Sequence, residues 1–157
     1  MTFMTTQDGI RFASDRRRVV HKNFIDNERQ ELVMLHPDMI NLYVASPPES
    51  AGFYSDLFDL EPVEASPGFA LFAFPSGMKL GLWARFSVAP TAIAPPGGSE
   101  VVFPVASYAH VDATWEDWSS RGITILQAPT TMDFGRTFVA SDPDGHRLRV
   151  YRLAENR

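Results

Sequence analysis

The sequence predicts an α+β fold made of two βαβββ modules, and three observations carry that reading. Strand-like and helix-like periodicities follow one another in the order β-α-β-β-β and then repeat it, as architecture rather than as similar sequence. A stretch at 86–99, rich in proline and glycine and without periodicity, parts the two runs. Apolar residues make up 45% and aromatic ones 12% of the 157 residues, enough for a substantial core in one globular domain.

The elements follow in order. Met39-Ile40-Asn41-Leu42-Tyr43-Val44 alternates as a strand does and is halted by Ser46-Pro47-Pro48, a pair of prolines that no central strand accommodates. Pro48 suits the first turn of a helix and Glu49 its positive end, and Phe53, Tyr54, Leu57 and Phe58 recur at helical spacing. Short apolar runs at 62–65, 69–74 and 79–85 are separated by Ser66-Pro67-Gly68 and Pro75-Ser76-Gly77, which are turn signals, and read as three meandering strands. Beyond the connector, 100–105 reads as a strand. Val111, Trp115 and Trp118 then share a helix closed by Gly122, and 123–126 is a strand. A loop around Pro129 leads to strands at 134–140 and 147–153, joined by the tight turn Asp142-Pro143-Asp144-Gly145. This gives a domain at 34–157, with module one at 39–85, a linker at 86–99 and module two at 100–153.

Residues 1–33 read as an appendage: charges cluster there, as in Arg16-Arg17-Arg18, and aromatics are few. Two origins stand side by side, an arm packed on a partner subunit or an over-long start with Met34 as the natural one. The segment holds six Lys/Arg and five Asp/Glu, against eight and fourteen in the remainder, so of the net charge of -5 the segment carries +1 and the domain -6. An acidic domain of sequence pI about 5.3 argues against a phosphate-tracking surface, so no nucleic-acid partner is expected. The absence of cysteine excludes disulfides, thiolate ligands and a thiol nucleophile. No apolar run approaches the roughly 18 residues of a membrane span, and the polar N-terminus lacks a signal-peptide core, so the expectation is a cytoplasmic protein without a membrane partner.

The doubled order, Phe53-Tyr54 on the first helix, Ser120-Arg121-Gly122 ending the second and Asp142-Pro143-Asp144-Gly145-His146 before the last strand together resemble the glyoxalase/bleomycin-resistance/extradiol-dioxygenase (vicinal-oxygen-chelate) superfamily. The likeness spans about 39–153. Phe134-Gly135-Arg136-Thr137-Phe138, Arg149-Val150 and Glu61-Pro62-Val63 look nearest to its phenazine-antibiotic resistance proteins, which bind a planar drug without altering it. The resemblance implies a curved mixed sheet with a concave cleft, and a homodimer with two equivalent clefts.

Metal-dependent members of that superfamily take His, Glu and Gln ligands from the first, fourth, fifth and eighth strands. Aligning through Phe53-Tyr54 places Met39 at the first position, and counting from the turn places Arg149 at the eighth, where glutamate is expected. A soft thioether and a permanent cation are unsuited to hard divalent ions. Gly81 and Trp83 offer no donor on the fourth strand, and Glu100 alone remains a candidate oxygen ligand. No metal site, no cofactor and no catalytic residue is therefore expected. His21, His36, His110 and His146 have no spacing that pairs two of them on one face, although a shift of one or two residues in register would bring His36 or His146 into play.

Period-two alternation divides the strands into two faces. Ile40, Leu42, Val44, Leu80, Leu82, Val101, Phe103, Val105, Leu148 and Val150 form an apolar set suited to burial under helices. The opposite set holds Met39, Asn41, Tyr43, Gly81, Trp83, Arg85, Glu100, Val102, Arg149 and Tyr151, a mixture of aromatic plates and polar handles that suits a flat heteroaromatic ligand. The binding candidates are Met39, Asn41, Tyr43, Trp83, Glu100, Arg149 and Tyr151. Trp83 is the leading stacking plate, because Gly81 two residues earlier would leave room for a ring; the alternative is a core tryptophan. Tyr43 and Tyr151 supply a second plate, a phenolic hydrogen bond, or ordinary half-buried sheet positions. Arg149 pairs with a ligand carboxylate or neutralises Glu100 across the cavity. Trp115 and Trp118 read as core.

The expected function is metal-independent sequestration of a planar aromatic small molecule. The alternatives are a metal-dependent lyase, isomerase, transferase or dioxygenase with Glu100 as ligand or base, and a scaffold whose cavity is filled by its own aromatics.

Overall fold

A computed structural model describes residues 36–155 of the chain, so the reading of 1–33 as an appendage lies outside the described residues. The first strand, β1 (Met39–Val44), runs into Ser46, whose extended backbone (φ -138°) and hydroxyl, accepting from the Glu49 N–H at 3.4 Å, cap helix α1 (Pro47–Phe58). Prolines in the first turn forgo only N–H groups that have no helical partner there. Both prolines lie inside the helix, with Pro48 in its first turn as expected. It ends at Asp59, in the left-handed region at φ 50°, with its N–H returned to the Ser55 carbonyl. Strands β2 (Glu64–Ala65), β3 (Phe69–Ala73) and β4 (Lys79–Ala84) follow, β2 being shorter than its apolar run. The second module repeats the plan with β5 (Glu100–Pro104), α2 (Tyr108–Ser120), β6 (Thr124–Met132), β7 (Gly135–Ser141) and β8 (Arg147–Leu153).

The two four-stranded sheets have the same connectivity, β1-β4-β3-β2 and β5-β8-β7-β6. In each, the first strand lies parallel to the last and the remaining pairs are antiparallel. The fold is α+β with two mixed sheets. One expectation is corrected: β6 does not break near Pro129 but continues to Met132, with register shifts between Ile125 and Gln127 and between Gln127 and Thr130. It is an edge strand, where a residue without an N–H costs no ladder bond and bulges absorb the mismatch.

The helices cover one face of each sheet. Leu42, Val44, Leu80, Leu82, Leu148 and Val150 are buried there as the alternation requires, with Tyr54, Phe72, Val111, Trp118 and Phe138. Ile40 departs from the expected set at 38% exposure. Phe58 stacks on Tyr54 at 5.5 Å and meets Phe72, Phe74 and, from the second module, Phe103 at 5.8 Å. Trp118 packs edge-on to Phe138 and Phe103, and with half-buried Trp115 it serves the core.

The turn between β7 and β8 joins the modules. Asp142 Oδ1 accepts from the backbone N–H groups of Asp144 and His146, and Oδ2 accepts from the Tyr54 hydroxyl of α1 at 2.8 Å. Asp144 accepts from the Ala45 N–H (2.8 Å) and the Ser50 hydroxyl (3.3 Å), and His146 Nε2 donates to the Tyr43 carbonyl (3.0 Å). Burial and the neighbouring Asp142 carboxylate push the Tyr54 phenol well above its ordinary range, so it stays a neutral donor. Replacing Tyr54 by Phe leaves a buried carboxylate short of one donor and should lower stability by about 1–3 kcal/mol. Urea denaturation of Tyr54→Phe reads this directly, and an unchanged midpoint would remove the hydrogen bond from the account.

Candidate functional site

On the face of the first sheet turned away from α1, three aromatic side chains form a row across three strands. Tyr43 on β1 is in register with Trp83 on β4, and Phe69 on β3 is opposite the same Trp83. Tyr43 meets Trp83 at 6.5 Å with planes at 80°, and Phe69 meets it at 6.4 Å and 87°. None of the three belongs to the core cluster under α1. Tyr43 is 37% exposed and Met39, four residues earlier on the same face, 40%. The Trp83 indole N–H is taken by the Ser87 hydroxyl at 3.1 Å, so this side chain offers a ring and not a donor. The expected free space over Gly81 is not there: a Cβ on Gly81 would collide with the Asn41 amide oxygen and fall 3.2 Å from Phe69 Cε2. Asn41 and Phe69 lean over the glycine, and its lack of a side chain makes room for them instead of a ligand. Phe69 was absent from the sequence-based candidates, although alternation in Phe69-Ala70-Leu71-Phe72 assigns it and Phe72 to opposite faces.

In the second module the polar candidates sit on β5 and β8. Arg149 donates from Nε to Glu100 Oε2 at 2.6 Å and from Nη2 to Oε1 at 2.9 Å, and its Nη1 reaches the Thr137 hydroxyl at 3.2 Å. Glu100 is paired a second time, by Arg147 Nη2 at 2.9 Å. The Arg149 bond holds the Glu100 carboxyl below its ordinary range, outweighing partial burial, with the charges of both arginines adding to the effect; Arg149 is raised in return. Glu100 and Arg149 are thus neighbours within one sheet, since β5 pairs directly with β8, and they do not face each other across a cavity as expected. Arg147 was missed, yet it follows from Arg149 by the same period of two. Tyr151 is half-buried next to Thr137 and Pro104 in register, further along β8.

The residues present do not fit the divalent metal ion that the superfamily resemblance brings into question. Glu100, the one carboxylate at the four aligned positions, is saturated by two guanidinium groups. Among the described residues no group of three or more His, Asp or Glu side chains is placed to hold a metal. His146 is engaged by the Tyr43 carbonyl, and the His110 ring is hydrogen-bonded to the Ser107 hydroxyl at 2.7 Å in the cap of α2. An open polar groove of about 600 Å³ lies at the C-terminal end of α1, lined by Ser55, Asp56, Asp59, Leu60, Glu61 and Arg121, and includes none of the candidates. Arg121 donates there to the Asp56 carbonyl. No helix among the described residues is long and apolar enough to cross a membrane.

Comparison with known proteins agrees with this geometry at the level of the family. The family model described as Glyoxalase/Bleomycin resistance protein/Dioxygenase superfamily matches residues 36–150. The phenazine antibiotic resistance protein EhpR of Enterobacter agglomerans is 32% identical over 120 residues, which cover 74% of this chain and 92% of that protein. A protein of Agrobacterium tumefaciens solved by NMR in solution is 51% identical, with a TM-score of 0.72 over 77% of this chain and 99% of that one. A glyoxalase-related enzyme from Fulvimarina pelagi shares the fold at 22% identity, with a TM-score of 0.67 over 76% of this chain and 88% of that one. With the repeated βαβββ plan, the two mixed sheets and a family match running through almost all the described residues, the chain belongs to the glyoxalase/bleomycin resistance protein/dioxygenase superfamily.

Proposed function

We propose that this protein binds and sequesters a planar aromatic small molecule of the phenazine type without a metal ion, as a drug-resistance protein that acts by stoichiometry and not by turnover. The carrying observation is the row Tyr43–Trp83–Phe69, which lies outside the core and offers ring surface at the site where the superfamily uses its sheets. Aromatic surface of this kind binds flat ligands through area and quadrupole complementarity, with little side-chain entropy to lose. Similarity to a phenazine antibiotic resistance protein supports the same class of ligand. Met39 and Asn41 flank the row on β1. Glu100, Arg149 and Tyr151 supply the polar border from the second module.

The assembly proposed with this reading is a cytoplasmic homodimer with two equivalent clefts. A metal-dependent enzyme would have to draw Glu100 away from two guanidinium groups before it could serve as ligand or base. One observation favours the filled scaffold: Asn41 and Phe69 already occupy the space over Gly81.

Binding of phenazine should quench tryptophan fluorescence at micromolar ligand, and Trp83→Ala should weaken the affinity about tenfold or more, within the range for loss of one stacked ring. Absence of quenching in the parent protein would leave the filled scaffold standing. Protein purified without a histidine tag should contain no stoichiometric metal, and one ion per chain would overturn the metal-free reading. The ion pairs of Glu100 make a third expectation. Because its carboxyl is held below the ordinary range, the pairs stabilise the fold above the unfolded-state pKa and cease to do so as pH falls through the lowered folded value. Glu100→Gln should therefore be less stable than the parent by on the order of 1 kcal/mol at neutral pH. The gap should close in acid; a gap independent of pH would assign the loss to packing.

A further inference from the structure

We propose that Ser87 is a positioning residue for the aromatic row: its hydroxyl holds the Trp83 indole in the setting in which that ring serves as a plate, and without it the row loses affinity for a flat ligand. This rests on reading Tyr43–Trp83–Phe69 as a ring-binding surface and adds the group that orients its central member.

The chain turns sharply after β4. Ala84, the last residue of that strand, is fully buried, and Arg85–Ser87 form a single turn of 3-10 helix. Three residues per turn bring residue 87 back over residue 84. The Ser87 hydroxyl accordingly donates to the Ala84 carbonyl at 3.0 Å. A hydroxyl has one proton to give and two lone pairs to offer. With its proton committed to the backbone, Ser87 is left as an acceptor, and the indole N–H of Trp83, the only donor on that side chain, fills it at 3.1 Å. The ring is thus hung, through one oxygen, from the buried end of its own strand.

The neighbouring rings do not supply this constraint. Tyr43 and Phe69 meet the indole at 80° and 87°, with centroids 6.5 and 6.4 Å away. Edge contacts of this kind act on area and quadrupole and hold no particular atom of the ring, and the outer torsion of a tryptophan is broad. Trp83 is only half-buried and stands outside the core cluster, so close packing does not lock it either. A plate that has to be ordered as the ligand arrives costs affinity, whereas one ordered in advance does not. Ser87 is exposed, so its replacement leaves no buried group unsatisfied and acts on orientation more than on the fold.

The test titrates phenazine into the full-length protein and into Ser87→Ala and Ser87→Thr, with tryptophan fluorescence as the signal. Ser87→Ala should bind about three- to tenfold more weakly, the range for ordering one side chain on binding. Its urea midpoint should match that of the parent, because water takes up the released N–H. Ser87→Thr keeps the oxygen and should recover the parent affinity. In proton–nitrogen correlation spectra of the free protein, the Trp83 Nε1–H signal, assigned by its loss in Trp83→Phe, should exchange with solvent faster in Ser87→Ala than in the parent or in Ser87→Thr. An affinity unchanged by Ser87→Ala, a loss that Ser87→Thr does not recover, or an exchange rate that ignores both substitutions overturns the role of Ser87 and leaves the ring-binding reading standing. If phenazine does not quench the parent, both fall.

Discussion

Asp142 is a buried carboxylate, and a charge in that position is tolerated only where donors surround it. The donors here come from opposite ends of the fold. Two are N–H groups of its own turn, and the third is the hydroxyl of Tyr54 on the helix of the other module, 88 residues away. Asp144 and His146 repeat the arrangement against Ala45, Ser50 and Tyr43. A five-residue turn thus does more than reverse the chain: it fixes the end of β1 and the start of α1 against the start of β8. The alignment of the two modules along this seam follows from satisfying that one buried group.

The candidate site inherits its shape from the same seam. Tyr43 belongs to β1 and Arg147 to β8, and the hydrogen bond from the His146 ring to the Tyr43 carbonyl ties the end of the one strand to the start of the other. Each half is arranged by a simpler rule. Parallel pairing of β1 with β4 and antiparallel pairing of β3 with β4 put Tyr43, Trp83 and Phe69 in one line, and pairing of β5 with β8 puts Glu100 within reach of Arg147 and Arg149. Every element of the site is therefore on a strand, and none depends on a free loop.

Much of this was legible in the residues. Alternation placed β1 and β8 at their observed limits, prolines and Ser46 marked the start of α1, and the apolar face of each central strand is the buried one. The turn Asp142-Pro143-Asp144-Gly145 was recognisable as a turn, but its role as a clasp was not, because its partner Tyr54 is distant in sequence and reads as an ordinary core aromatic. Pro129 was misleading for a related reason: proline breaks a central strand and is harmless on an edge, and edge status is a property of the sheet. Gly81 gave a correct local inference, that space is needed there, with the wrong occupant. Arg149 and Glu100 were selected by position, while the doubled pairing that ties them up needed Arg147, whose significance appears only when β5 and β8 are laid side by side.

The irregular β6 has a consequence for molecules in crowded solution. Strands at the rim of a sheet expose a line of amides and carbonyls to which another chain can add itself. Along this rim the line is broken by the missing amide of Pro129 and by two slips in spacing, so a neighbour finding one good hydrogen bond is out of step a few residues later. Sheet-to-sheet polymerisation has no continuous seam to follow there, a protection written into the outermost strand rather than supplied by charge.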